Sequence, residues 1–331
     1  MLQPQLLDDL HKLQRENLNA LCHTQRSVFS LVEGQKMISF DNLGTLAVSQ
    51  EKVLCGVQLQ PVQSLTYVTS FTTRQATNGS SYDASAIFTN EGDQVIITDR
   101  QLNQITITTP EGQILSQLNV ALMGKPIYSL TTPSRDLVFT RDKQSICVFT
   151  ESGQHKFNVK EYLSKPCSLA IGPEDFLYVL DYDTKMVTKI SSQTYTKTAN
   201  VKLTYKKGSI WDKIGINSHG NIYLCAFAEN CIYEFTSTGQ RLAQYGRWGS
   251  TDAGDLYWPR GMCIDAHDNV IIADTNNSRL QLLTPDGSWT VLETPEGHHA
   301  DAPTDVAVTS TGHLCVLQKC GKVSIYKYLP Y

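Results

Sequence analysis

The 331-residue chain predicts an all-β fold, a six-bladed β-propeller preceded by a short helical segment. Three observations carry the prediction. Short apolar, strand-like runs recur at spacings of 41 to 48 residues. In four of the six copies a turn glycine stands 13 residues after the run ends. The last copy is one strand short, and a matching extended segment lies upstream of the first.

In chain order, residues 1–60 differ in kind from the rest. Pro4 suits the first turn of a helix, and Leu6, Leu7, Leu10, Leu13, Leu18 and Leu21 make it amphipathic to about Cys22. The 3/4 spacing slips between Leu13 and Leu18, so heptads are not sustained. Two readings stand: a helix packed on the propeller's side, or the last turns of a longer coiled coil through which the chain oligomerises. Residues 61–331 are assigned to the propeller.

The recurring runs end at residues 99, 140, 181, 226, 274 and 318. A run such as VIIA at 270–273 is apolar throughout, as a strand buried on both faces requires. The turn glycines are Gly112, Gly153, Gly239 and Gly287; the third and sixth copies lack one. Pro285, Asp286 and Gly287 form a tight-turn signature, with Pro presetting φ and Gly accepting a positive one. One such sheet cannot bury both faces alone, whereas six around an axis can. Residues 65–71 (LTYVTSF) are extended and β-branched, and are expected to supply the missing strand and remove the open edges.

Composition narrows the function classes. The 28 Lys+Arg against 32 Asp+Glu give a net charge of −4, which argues against a surface that is wholly a trap for nucleic acid. A charged fraction of 18% fits a globular core and not a disordered chain. The first 30 residues hold no secretory apolar region, and no run of about 18 apolar residues suggests a membrane span. The nine cysteines are odd in number and form no C-x-x-C, so free buried thiols in a cytoplasmic protein are expected.

The sequence carries no G-x-S-x-G, H-E-x-x-H, P-loop or G-x-G-x-x-G motif. His219 and His267 occupy equivalent turn positions, and His298 and His299 form a loop pair without a third ligand at a recognisable spacing. Asp99, Asp181 and Asp274 recur at the end of the second strand, where each is expected to cap the following turn. No catalytic residue, metal or cofactor is therefore expected.

The strings WPRG (258–261), DNVIIAD (268–274) and NNSR (276–279) resemble the NHL repeat, and parts recur at 181–184 and 218–223. No blade ends in the Trp-Asp of WD repeats or carries the paired glycines of kelch repeats. The resemblance covers about residues 66–331. Residues 29–40 (FSLVEGQKMISF) are similar to the segment that links coiled coil to C-terminal domain in tripartite-motif (TRIM) proteins. A TRIM-NHL resemblance implies a partner-recognising domain of the ubiquitin-ligase family, although this chain holds no RING or B-box ligand cluster. It leaves open an RNA-binding NHL domain, and more remotely a metal-dependent lyase or lactonase.

Two loop classes should share one rim: those between second and third strands, and those entering each inner strand. The first contributes Arg100, Arg141, Lys143, Tyr182, Lys185, Phe227, Asn276, Arg279 and Lys319; the second contributes Trp211, Tyr257 and Arg260. Arg beside aromatic residues on loops is the composition of a protein- or peptide-binding face. The rival signal lies in 185–211, where Lys185, Lys189, Lys197, Lys202, Lys206 and Lys207 alternate with Tyr195, Tyr205 and Trp211 and no carboxylate intervenes. That pattern suits single-stranded RNA.

Overall fold

The computed structural model describes residues 46–48, 51–53, 64–72, 84–141, 145–210 and 212–328. Contacts divide the chain into two units, Met1–Pro61 with Leu329–Tyr331, and Val62–Tyr328. In the first, β1 (Leu46–Val48) and β2 (Glu51–Val53) pair antiparallel, Leu46 opposite Val53. The predicted leucine helix and the segment 29–40 lie outside the described residues.

The second unit is built of six four-stranded antiparallel sheets among the described residues. Its first strand in the chain, β3 (Thr66–Thr72), belongs to the last blade. Blade one holds β4 (Ala84–Thr89), β5 (Val95–Asp99), β6 (Gln104–Thr108) and β7 (Ile114–Asn119). Blade two holds β8 (Pro126–Thr131), β9 (Leu137–Arg141), β10 (Ile146–Phe149) and β11 (His155–Val159). Blade three holds β12 (Pro166–Ile171), β13 (Phe176–Asp181), β14 (Met186–Ser191) and β15 (Lys197–Lys202). Blade four holds β16 (Lys213–Ile216), β17 (Ile222–Ala226), β18 (Cys231–Phe235) and β19 (Arg241–Tyr245). A short parallel pair, β20 (Arg247–Trp248) and β21 (Asp255–Leu256), braces the loop that follows. Blade five holds β22 (Gly261–Ile264), β23 (Val270–Asp274), β24 (Arg279–Leu283) and β25 (Trp289–Leu292). Blade six holds β26 (Pro303–Val308), β27 (His313–Gln318) and β28 (Lys322–Lys327), completed by β3.

The first strands of the blades touch in cyclic order, and β26 returns to β4, so these six line the axis. The second strands β5, β9, β17 and β23 are buried along their whole length. Their apolar runs therefore reflect packing between blades on both faces. The core is a set of apolar layers between neighbours, such as Leu180, Val187, Tyr205, Ile214, Leu224 and Phe235 between blades three and four. Outer strands such as β7 alternate exposed and half-buried residues, as a sheet edge facing water should.

Strand closure falls where the sequence places it, with β3 one residue later than 65–71. The second strand of blade two runs to Arg141 and not Thr140. Gly112, Gly153, Gly239 and Gly287 all adopt φ between 82° and 90°. In blade three Tyr195 takes this left-handed place at φ 57°. Its ring is buried and its hydroxyl donates to Asp136 Oδ2 at 2.9 Å, an anchoring that offsets the backbone cost.

Candidate functional site

The last residues of the six second strands are Asp99, Arg141, Asp181, Ala226, Asp274 and Gln318. All are buried, and the five polar ones lock loops of the rim. Asp181 Oδ1 accepts the Thr184 N–H at 3.0 Å, capping the next turn as expected. Its Oδ2 accepts the N–H groups of Ser164 and Lys165, in the loop entering its own inner strand. Asp99 Oδ1 accepts the Leu102 N–H at 2.8 Å. Asp274 Oδ1 accepts the Tyr257 N–H at 2.7 Å, while Oδ2 accepts from Asn277, Arg279 and Gln281. In blade four the position is Ala226, and Asp212 supplies the carboxylate from the entering loop. It accepts the N–H groups of Phe227 at 3.1 Å and Ser209 at 2.9 Å. Burial pushes the Asp212 carboxyl up to about 7, above the usual carboxylate range.

This geometry separates the candidate rim residues into scaffold and surface. Arg141 is buried; its guanidinium donates to the Met123 carbonyl and to Ser145 Oγ. Arg279 has a side chain 15% exposed; it pairs with Asp274 at 3.0 Å and donates to the carbonyls of Asp252 and Asp255. Lys185 Nζ donates to the carbonyls of Tyr205 at 2.6 Å and Lys206 at 2.9 Å. These three hold loops in place and do not project toward a partner. Arg100 and Tyr182 are half-buried, and Asn276 and Lys319 are exposed. Lys143 and Trp211 lie outside the described residues.

Phe227, Tyr257 and Arg260 do come together, and two further residues join them. Ring centres run Phe227 to Trp258 at 5.8 Å, Trp258 to Tyr257 at 5.5 Å, and Tyr257 to Trp248 at 6.4 Å. Arg260 Cζ lies 5.9 Å from the Phe227 ring centre. The result is a strip of four aromatic rings with a guanidinium at one end, spanning blades four and five. Trp258 is 47% exposed and Trp248 71%. The strip is fixed from below: the Trp258 N–H donates to Asn230 Oδ1 at 2.7 Å, and the Asn276 N–H to the Tyr257 carbonyl at 3.0 Å. Within the loop, Asp255 accepts the N–H of Asp252 at 3.1 Å and of Thr251 at 3.2 Å, and its carboxyl is held below the usual range, first by the Asp252 bond. In the sequence Trp258 reads only as a repeat marker and Trp248 carries no motif. The available signal was the spacing of 48 residues between the fourth and fifth copies, the longest in the chain.

Side chains of the inner strands meet one another at the axis. Lys213 Nζ pairs with Asp305 Oδ2 at 2.8 Å and lies 4.4 Å from the Tyr128 ring centre. The Ile87 N–H donates to the same carboxylate oxygen at 3.0 Å. Burial pushes the Asp305 carboxyl up, while Lys213 opposes the shift. Among the described residues no three His, Cys, Asp or Glu side chains converge as metal ligands. The N–H groups of His219 and His267 donate to Asn217 and Asp265 Oδ1, confirming their equivalent places in two turns.

The lysine-rich stretch is dispersed. Lys189 stacks on Phe176 at 3.8 Å and Lys197 on Tyr162 at 4.8 Å, along the strands of blade three. Lys202 donates to the Thr184 carbonyl. Glu229 accepts the backbone N–H groups of Lys206 and Lys207, placing a carboxylate beside those two lysines.

A family model for the NHL repeat matches residues 256–281, the blade that carries the Trp258 motif. Comparison with curated proteins by sequence found no match. Among solved structures, virginiamycin B lyase from Staphylococcus aureus is 15% identical, with a TM-score of 0.54 over 79% of this chain and 99% of that one. A protein of unknown function from Bacteroides thetaiotaomicron is 14% identical, with a TM-score of 0.64 over 81% and 75%. An auxiliary nutrient binding protein from Bacteroides ovatus is 16% identical, with a TM-score of 0.61 over 74% and 69%. At these identities the likeness is one of fold. The chain is thus an all-β, six-bladed propeller carrying an NHL repeat.

Proposed function

We propose that the chain is a non-catalytic recognition module whose rim, over blades four and five, docks a protein or peptide. The observation that carries this reading is where large apolar side chains meet water. Among the described residues, the exposed ones are Val68, Ile114, Leu115, Phe157 and Leu242 on outer strands, and Leu102, Leu122, Trp248 and Trp258 on rim loops. None lies on the turns of the opposite face. Exposed aromatic side chains beside arginine on rigid loops are what interface energy concentrates in. A role like that of the NHL domain in tripartite-motif proteins fits this face, with the propeller presenting a partner to other domains. An intracellular site is part of the proposal; the seven described cysteines are free thiols, which suits a reducing compartment.

The test is capture from cell extract with the full chain, against a Trp248→Ala, Trp258→Ala variant, with and without nuclease. Partners of the rim should bind the variant about 30-fold less well, since such anchors each contribute roughly 1 to 4 kcal/mol. Their retention by the variant would overturn the proposal. Loss after nuclease, with affinity falling steeply with salt, would favour RNA instead.

A further inference from the structure

We propose that the face opposite the aromatic rim carries a preformed pocket for a small lipophilic cation, at the seam between blades one and two. A cavity of about 440 Å³ opens there, a volume within the usual range for small-molecule sites. Its floor is apolar: Phe88 and Ile107 from blade one, Leu137 from blade two and Ile171 from blade three. Its two lips are the turns that join first to second strands, 90–94 and 132–136.

Both lips are held by their own side chains. Asn90 Oδ1 accepts the N–H groups of Gly92 at 3.1 Å and Gln94 at 2.9 Å. Thr132 Oγ1 accepts the Asp136 N–H at 3.1 Å, and Asp136 in turn accepts from Lys156 and from the Tyr195 hydroxyl. Asp93 ties the first lip to blade six through the Ser310 N–H at 2.7 Å and the Thr311 hydroxyl at 2.9 Å. A pocket with fixed walls binds without an ordering cost.

The seam differs from its neighbours. Blades four and five are bridged on this face by Ser218 to Asp268, and blades five and six by Tyr328 to Asp265. Blades six and one are bridged through Asp93, and two and three through Asp136. Among the described residues no hydrogen bond joins turn 90–94 to turn 132–136, and the cavity occupies that gap.

Charge selects the ligand. Arg135 stands 3.6 Å from Glu151, and both belong to blade two. Glu91, on the other lip, makes no ion pair among the described residues and leaves the mouth net negative. An apolar body would fill the floor while an ammonium group faces Glu91. The position lies on the face away from the rim, so it does not depend on the docking proposal.

The experiment is calorimetric titration of the full chain with three probes sharing one ring system: naphthalene-1-methylamine, naphthalene-1-methanol and naphthalene-1-acetic acid. The amine should bind about tenfold tighter than the alcohol, and the acid weakest. Glu91→Lys, at an exposed site, should abolish the preference, and Glu91→Gln should reduce it. Hydrogen exchange with the amine bound should protect 90–94 and 132–136. The proposal is overturned if the acid binds as well as the amine, or if Glu91→Lys leaves the order unchanged. Protection elsewhere, or no probe binding at millimolar concentration, overturns it too.

Discussion

The Tyr128 hydroxyl donates to the backbone carbonyl of Arg260 at 3.3 Å, so a side chain from blade two reaches the loop that enters blade five, across the ring. The loop it touches is the one that bears Trp258 and Tyr257. Beneath it, Lys213 of blade four holds Asp305 of blade six, and Asp305 in turn holds the Ile87 N–H of blade one. These contacts form a polar lock that ties five blades together.

Breaking this lock on one side should cost much more than removing it whole. The Lys213 side chain is 12% exposed and that of Asp305 not at all. Lys213→Met would leave a buried carboxylate unpaired, a change of about 3 kcal/mol or more. The double variant Lys213→Met, Asp305→Asn should recover at least half of the loss, because no charge is then stranded. Chemical denaturation of the four proteins measures the coupling. A double variant whose loss equals the sum of those of Lys213→Met and Asp305→Asn would show that the pair is not coupled.

Asp274 governs the aromatic strip through the backbone of Tyr257, not through its rings. Its carboxylate collects the Tyr257 N–H and the side chains of Asn277, Arg279 and Gln281. Asp274→Ala should destabilise by about 3 kcal/mol, since Arg279 loses its buried counter-charge. Hydrogen exchange should speed up first in residues 246–260, ahead of global unfolding. Uniform acceleration across all blades would contradict this local role.

Asp212 predicts a pH dependence with a definite sign. Its folded carboxyl is held near 7, against 3.8 for the free group, chiefly by burial. Between those values the native protein keeps a proton that the unfolded chain has released. The stabilisation is complete at low pH and is lost as pH rises through about 7. The melting temperature of the wild type relative to Asp212→Asn should therefore fall between pH 5 and pH 8. A flat difference would show that the carboxylate is already ionised at pH 5, and a difference that rises with pH would equally overturn the assignment.

What could be read from the sequence followed from periodicity. Strands buried on both faces wrote unbroken apolar runs, and turns needing positive φ wrote glycines, so blade number and closure were legible. Tyr195 shows the limit: a tyrosine took the glycine's place because Asp136, 59 residues away, anchors its hydroxyl. The candidate site was less legible for the same reason. Arg141 and Arg279 carry the composition of a surface, but carbonyls from other loops, those of Met123, Asp252 and Asp255, turn them inward. Trp248 became a neighbour of Tyr257 only through the fold of the loop between them.

Ring closure by β3 yields the last prediction. The strand pairs with β28 from Thr72 opposite Lys322 to Thr66 opposite Lys327. Tyr67 stacks on His298 at 3.7 Å, and the Tyr326 hydroxyl donates to the His298 carbonyl at 2.7 Å, so strand and loop form one seam. Without β3 the sixth blade would present β28 as an unpaired edge and strip the cover from Val323 and Ile325. Removing residues 1–75 should abolish cooperative unfolding, whereas removing 1–25 should leave the transition intact. A milder change tests the same seam. Gly112 sits at φ 90°, and a Cβ there would lie 2.5 Å from the Phe71 ring. Gly112→Ala should thus cost about 1 to 3 kcal/mol through both strain and overlap. If the longer deletion melts like the parent, or Gly112→Ala is neutral in the full chain, the closure by β3 is not what holds the ring.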